Sequence, residues 1–182
     1  MLCFAIMYSS QRGNHLSRER QIMKITHASF QKIEKVEAHK SYENDYQRGC
    51  LFFASEGNTY NLANECNFQY NIEVENILDI TRLNYEHDFT ECKIMRDVFQ
   101  KLREELGIDC DDEEISEILD ETNSIYEYET TVRDFNAGWI VQQYQGILAH
   151  RLGYDCAESF DEQGAVYIAY CVGRELQEIA VK

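Results

Sequence analysis

The sequence contains no proline among its 182 residues, so no turn, kink or helix end can be read from that residue. Basic residues are scarce: 17 Lys and Arg stand against 33 Asp and Glu, a formal net charge of -16. That balance excludes naked nucleic acid and anionic membrane surfaces as main partners, because their phosphates repel such a chain. No apolar run is long enough to span a bilayer. Met1–Tyr8 is short, follows no basic residue and gives way to polar Ser9–Gln21, so it matches neither a transmembrane helix nor a signal peptide. The seven cysteines are scattered and odd in number, with no CxxC pair and no Cys/His cluster at zinc-ligand spacing. Neither a disulfide scaffold nor a metal site is expected, and reduced thiols packed as small hydrophobes are. GxGxxG and the P-loop lysine are missing too, which argues against a Rossmann enzyme or an NTPase. The expectation is a soluble cytoplasmic protein with no metal.

What is present is enough for one folded domain. The apolar fraction is 44% and aromatics make up 12%, well above what a disordered chain carries. Charge is unevenly spread. Residues 1–40 hold seven Lys and Arg against three Glu, a net +4, which leaves -20 for the rest. Residues 1–22 read as an N-terminal extension outside the fold. A translation start at Met23 would remove them and leave the first strand intact, so the domain is expected over 23–182.

Met23–Ser29 reads as that strand, and 30–48 as a polar loop with a little helix. The apolar run 49–55 is a buried strand, and Tyr60–Ala63 a short helix. Phe68, Tyr70, Ile72 and Val74 alternate at the two-residue period of a half-buried strand, and Ile77–Ile80 is a further extended piece. Asp88–Leu106 is the clearest helix, with Phe89, Cys92, Met95, Phe99, Leu102 and Leu106 on one face, Asp88 placed to cap its start and Gly107 at its end. Asp111–Asp120 and Ala137–Leu152 are two more, the last turning Trp139 or Ile140, Tyr144, and Ile147 or Leu148 inward. Tyr154–Phe160 is mixed. Asp161–Gly164 is a turn, residues 165–172 a buried strand, and Leu176–Val181 an edge strand. Strands, then helices, then strands give an α+β class.

Three features lie beside predicted strands: His27 in the first, Ser55 at the end of the second with Tyr60 beyond it, and the acidic turn Asp161-Glu162-Gln163-Gly164. Each alone is ordinary, since a histidine by a strand is usually structural and an acidic turn usually solvated. Their order, histidine then tyrosine then acid, is what draws them together.

The segments Met23-Lys24-Ile25-Thr26-His27-Ala28-Ser29, Leu51-Phe52-Phe53-Ala54-Ser55-Glu56, Leu152-Gly153-Tyr154 and Asp161-Glu162-Gln163-Gly164-Ala165-Val166-Tyr167 resemble the phage type I-F anti-CRISPR ADP-ribosyltransferase family, over most of residues 23–182. The resemblance implies an ADP-ribosyltransferase-like fold: two small facing β-sheets around an NAD cleft, with a helical insertion. It implies NAD, consumed as substrate, and a protein target, the large PAM-reading subunit of the type I-F CRISPR surveillance complex. His27 would hydrogen-bond the ribose nearest the nicotinamide. Ala28, Ser29, Ser55 and Gln163 would line the cleft, Tyr60 would stack on the nicotinamide, and Asp161 with neighbouring Glu162 would be the catalytic acid. Cleaving the nicotinamide–ribose bond builds positive charge on the sugar, which a nearby carboxylate stabilises. Gly164 would allow close backbone approach, and Lys or Arg of 24–48 would hold the pyrophosphate. A rival reading takes the acidic block from Asp109 to Glu129, which has no Lys or Arg, as a phosphate mimic that blocks a basic nucleic-acid channel without catalysis.

Overall fold

The computed structural model describes residues 22–38, 40–42, 45–55, 66–132, 134–161 and 164–180. The chain opens with β1 (Met23–Ser29), β2 (Lys40–Tyr42), β3 (Asp45–Gln47), β4 (Cys50–Ser55), β5 (Phe68–Val74) and β6 (Ile77–Asp79). A helical stretch follows: α1 (Leu83–Glu86), α2 (Lys93–Leu106), α3 (Asp112–Leu119) and α4 (Asp134–Leu152). Strands β7 (Cys156–Asp161), β8 (Gly164–Tyr170) and β9 (Gln177–Ile179) close it. The class is therefore α+β, as the order of elements predicts. Where a loop with some helix is expected over 30–48, the structure places the antiparallel pair β2–β3 instead. The segment expected as a short helix over Tyr60–Ala63 lies outside the described residues.

Seven strands form one sheet in the order β6-β7-β8-β4-β1-β5-β9. The two facing sheets expected from the resemblance are thus hydrogen-bonded into one, through a narrow join. β1 pairs with β5 at seven positions but with β4 at only two, Ile25 with Ser55 and Thr26 with Ala54. β6 and β7 are parallel. Parallel neighbours need a crossover, and the whole helical stretch supplies it.

The helices cover one face of the sheet. α2 buries Met95, Val98, Phe99, Leu102 and Leu106, three and four residues apart, so its apolar stripe follows the helical period. It begins at Lys93 rather than Asp88. The Asp88 carboxylate instead accepts from the amide and hydroxyl of Thr90, closing a turn ahead of the helix. Gly107 ends α2 at φ 67, its amide bonded to the Arg103 carbonyl. α3 starts in a capping box: Asp111 accepts from the Glu113 and Glu114 amides while Glu114 accepts from the Asp111 amide. α4 turns Ile140, Val141, Tyr144 and Leu148 inward and leaves Trp139 58% exposed. Within Tyr154–Phe160, mixed by sequence, a full strand forms, and it runs on through Asp161, expected in the turn. Its Ala157 packs into the helical core while Cys156 joins the opposite face with Ile25, Phe53 and Tyr167. That face is covered by Ile33 and Val36 of the segment after β1 and by Leu176.

Cys50, Cys92, Cys110, Cys156 and Cys171 carry free thiols. Burial pushes Cys156 and Cys171 up to about 12, so they behave as packed hydrophobes. Among the described residues no helix is long and apolar enough to cross a membrane.

Candidate functional site

The structure does not bring the sequence-predicted residues to one point: His27 lies at the narrow join of β1 and β4, while register sets the Asp161–Gly164 hairpin end beyond Ser55, away from His27 and across β4 and β8. After Thr26, β1 stays paired with β5 but no longer with β4, while β4 stays paired with β8. The two strands part, and the His27 side chain reaches into the seam. Its Nδ1 lies 2.8 Å from the Phe52 carbonyl oxygen. A carbonyl only accepts, so Nδ1 carries the proton and Nε2 keeps its lone pair. Burial lowers the His27 pKa below the ordinary 6.5, against a smaller opposing effect of the Phe52 bond. The imidazole is neutral at neutral pH. No described residue bonds Nε2, which leaves it as an acceptor.

Strand alternation sorts the neighbours. Ile25 pairs with Ser55, so His27 and Ser29 share a face with Ile25, Phe53 and Ser55. The His27 ring sits 5.6 Å from that of Phe53. Ala28 falls on the other face, with Phe52. Ser29 is occupied locally: its hydroxyl donates to the Gln31 carbonyl at 2.7 Å and accepts from the Gln31 amide. Ser55 is half-buried at the end of β4.

At the acidic turn, Asp161 ends β7 and pairs across the hairpin with Gly164. Phe53 stands opposite Tyr167, so this hairpin end lies at the Ser55 end of β4. Gly164 has φ 115, and a Cβ there would meet nothing within 4 Å. Its glycine therefore serves the backbone conformation rather than close packing. Tyr60, Glu162 and Gln163 lie outside the described residues.

Sequence reasoning missed a second pair. Tyr167 donates its hydroxyl to Glu158 at 2.9 Å. Burial, then the Glu158 bond, pushes the Tyr167 phenol up to about 12. Register sets Glu158 beside Tyr167, Tyr167 beside Phe53, and His27 beside Tyr70. A row of polar and aromatic groups thus crosses the sheet on the His27 face. Little in the sequence signals it, because polar Glu158 and Ser159 in the middle of β7 break up any strand pattern.

A model of the anti-CRISPR type I-F ADP-ribosyltransferase AcrIF11 family matches residues 23–178. The chain belongs to that family. Among solved structures, one described as the crystal structure of an anti-CRISPR protein is similar at 23% identity, covering 87% of this chain and 96% of that one, with a TM-score of 0.54. At that identity the likeness concerns the fold. No curated protein shows a significant match.

In this family member three basic residues of 24–48 are paired with carboxylates, while Lys35 is exposed. Lys24 pairs with Glu73 at 3.9 Å and Lys32 with Glu178 at 3.5 Å, both in solvent. Arg48 turns inside, to Glu105 and to Gln143 at 3.1 Å. Much of the acidic block is engaged as well. Asp111 caps α3, Asp112 binds Arg103 at 2.7 Å, and buried Asp120 accepts from Asn84 at 2.6 Å. Glu121, at φ 67, accepts from Gln145 at 3.0 Å and from the buried Ser159 hydroxyl. These carboxylates help to hold the fold together, while Asp109, Glu113, Glu127 and Glu129 of the block remain exposed.

Proposed function

We propose that the protein is an NAD-dependent mono-ADP-ribosyltransferase that modifies a protein side chain. The observation that carries this reading is the neutral His27, fixed at the sheet seam by Phe52 with Nε2 left as an acceptor, in a chain of an ADP-ribosyltransferase family. Nε2 suits a ribose hydroxyl as donor. A protonated imidazole would offer no lone pair there.

NAD supplies the ADP-ribosyl group and a nicotinamide leaving group. His27 orients the ribose, a positioning effect. Ala28, Ser29, Ser55, Tyr60 and Gln163 line the cleft, with Tyr60 against the nicotinamide ring. Asp161, with Glu162 beside it, stabilises the positive charge that develops on the sugar and orients the incoming nucleophile. The domain is 23–182, with 1–22 as an extension. The target is the large PAM-reading subunit of a type I-F surveillance complex, met in the cytoplasm of the bacterial host, and its modification blocks recognition of target DNA.

The test is incubation of the protein with labelled NAD and a purified type I-F surveillance complex. Label on one subunit, lost in Asp161→Ala or Glu162→Ala, is the expected result. Inhibition of DNA binding without NAD, persisting in both variants, would favour a non-catalytic acidic inhibitor instead.

A further inference from the structure

Trp139 is the chain's single tryptophan. It lies near the start of α4 and is 58% exposed, while Ile140 and Val141 beside it are buried. The indole is nonetheless braced. Its ring centroid lies 4.9 Å from that of Phe52, tilted by 60°. Phe52 is the residue whose carbonyl holds His27 at 2.8 Å. One residue of β4 therefore touches the imidazole through its main chain and the indole through its side chain, at the place where β1 and β4 stop pairing. Ala28 stands on the Phe52 face of β1, so the side chain next to this aromatic pair across the seam is a single methyl group.

Of the other exposed rings, Phe30 and Phe160 have no second ring beside them among the described residues, and two tyrosines have different settings. Tyr85 lies beneath the Arg82 guanidinium at 5.4 Å, and Tyr126 stands over Gly138. Electrostatics adds a reason for a stacking residue. Lys24, Lys32 and Arg48 are each paired with a carboxylate, and the chain carries a net charge of -16. Ring stacking would add affinity for a dinucleotide that does not depend on such cations.

We propose that Trp139, braced by Phe52, is a stacking platform for a heteroaromatic ring of the dinucleotide, on the helix-covered side of the seam that His27 occupies. This rests on the NAD reading above. Adenine and nicotinamide share the flat chemistry the platform requires.

With one tryptophan, fluorescence of the full chain excited at the red edge of the indole band, where its 12 tyrosines do not absorb, reports on this residue alone. Titration with NAD is expected to quench it saturably. Parallel titrations with ADP-ribose and with nicotinamide identify the stacked ring by which of them quenches. Calorimetry with NAD supplies an affinity independent of fluorescence. Trp139→Ala is expected to raise the NAD Kd about tenfold, with an unchanged far-ultraviolet dichroism spectrum because the side chain is exposed. Trp139→Phe is expected to restore most of the affinity. Calorimetric NAD binding that is identical in wild type and Trp139→Ala, without quenching, overturns the platform and leaves the transferase reading standing. Loss of target labelling in Trp139→Ala at unchanged NAD affinity also overturns it and makes the indole a protein-docking contact. Absence of any NAD binding by wild type overturns the transferase reading and the platform together.

Discussion

His27 donates to the carbonyl of Phe52 across the seam where β1 and β4 stop pairing, and this single bond takes the place of the ladder that ends there. It satisfies a carbonyl that would otherwise face the seam without a strand partner, fixes the tautomer and keeps Nε2 as an acceptor. The same residue thus closes a structural gap and offers the chemistry proposed for the site.

The first prediction concerns pH. Burial holds the His27 pKa below 6.5, so the unfolded chain takes up its proton first as the pH falls. The stability that neutral His27 allows is present in full above pH 6.5 and is lost as the pH drops through the lowered value. His27→Gln, which cannot titrate, should remove this part of the acid slope in thermal unfolding midpoints. It should also abolish ADP-ribosyl transfer, since the amide cannot reproduce both ring nitrogens. An unchanged acid slope in the variant would show that His27 does not titrate as described.

The Glu158–Tyr167 pair should show itself at the alkaline end. A phenol raised to about 12 keeps its proton in the folded state while the unfolded chain loses it near 10, so its contribution to stability falls as the pH rises through that window. Tyr167→Phe should cost about 1 kcal/mol at neutral pH. Absorbance titration should lose a late-ionising tyrosine. A variant with the wild-type titration curve would place the late tyrosine elsewhere.

Two glycines of α4 should respond in opposite ways to alanine. At Gly146 a Cβ would stand 2.7 Å from the Ile168 methyl, 3.0 Å from the Cys50 sulfur and 3.1 Å from the Ile168 carbonyl. Strand backbone cannot move aside, so overpacking of about 1–3 kcal/mol outweighs a helix-propensity gain of about 1 kcal/mol. At Gly138 the obstacle is the Tyr126 hydroxyl at 2.7 Å, the far end of an exposed side chain. Gly138→Ala should therefore hold or raise the urea midpoint, and Gly146→Ala should lower it.

The interior pair of Arg48 and Glu105 makes a further test. Arg48 is 9% exposed and also contacts Gln143, while Tyr144 donates to the second Glu105 oxygen at 2.8 Å. Arg48→Met takes a cation away from a partly buried carboxylate and should destabilise by about 2–3 kcal/mol, less than for a fully buried pair because Glu105 keeps some solvent contact. Adding Glu105→Gln should recover part of that loss in urea unfolding. No recovery would mean that the packing of Arg48, rather than its charge, matters most.

Local signals made several elements legible. Phe68, Tyr70, Ile72 and Val74 alternate because one face of β5 is buried. The apolar positions of α2 and the glycine after it mark a helix and its end, since both depend on residues close in sequence. Elements whose fate depends on distant partners were harder. Residues 156–160 look mixed because Glu158 bonds Tyr167 and Ser159 bonds Glu121, and polar groups satisfied across the fold mimic a loop in a linear reading. Asp88 looks like a cap by position, but Thr90 offers it nearer donors.

For the site, the residues themselves brought out His27, Ser55 and the acidic turn, because histidine, hydroxyl and carboxylate types at strand ends can be seen without coordinates. Whether His27 is neutral, which of its nitrogens is free and what it faces are matters of tertiary structure alone. They depend on Phe52, 25 positions away, and on how far β1 and β4 pair before they part. A sequence carries side-chain chemistry at each position. Burial and hydrogen bonding, which set protonation and direction, exist only once distant strands are brought side by side.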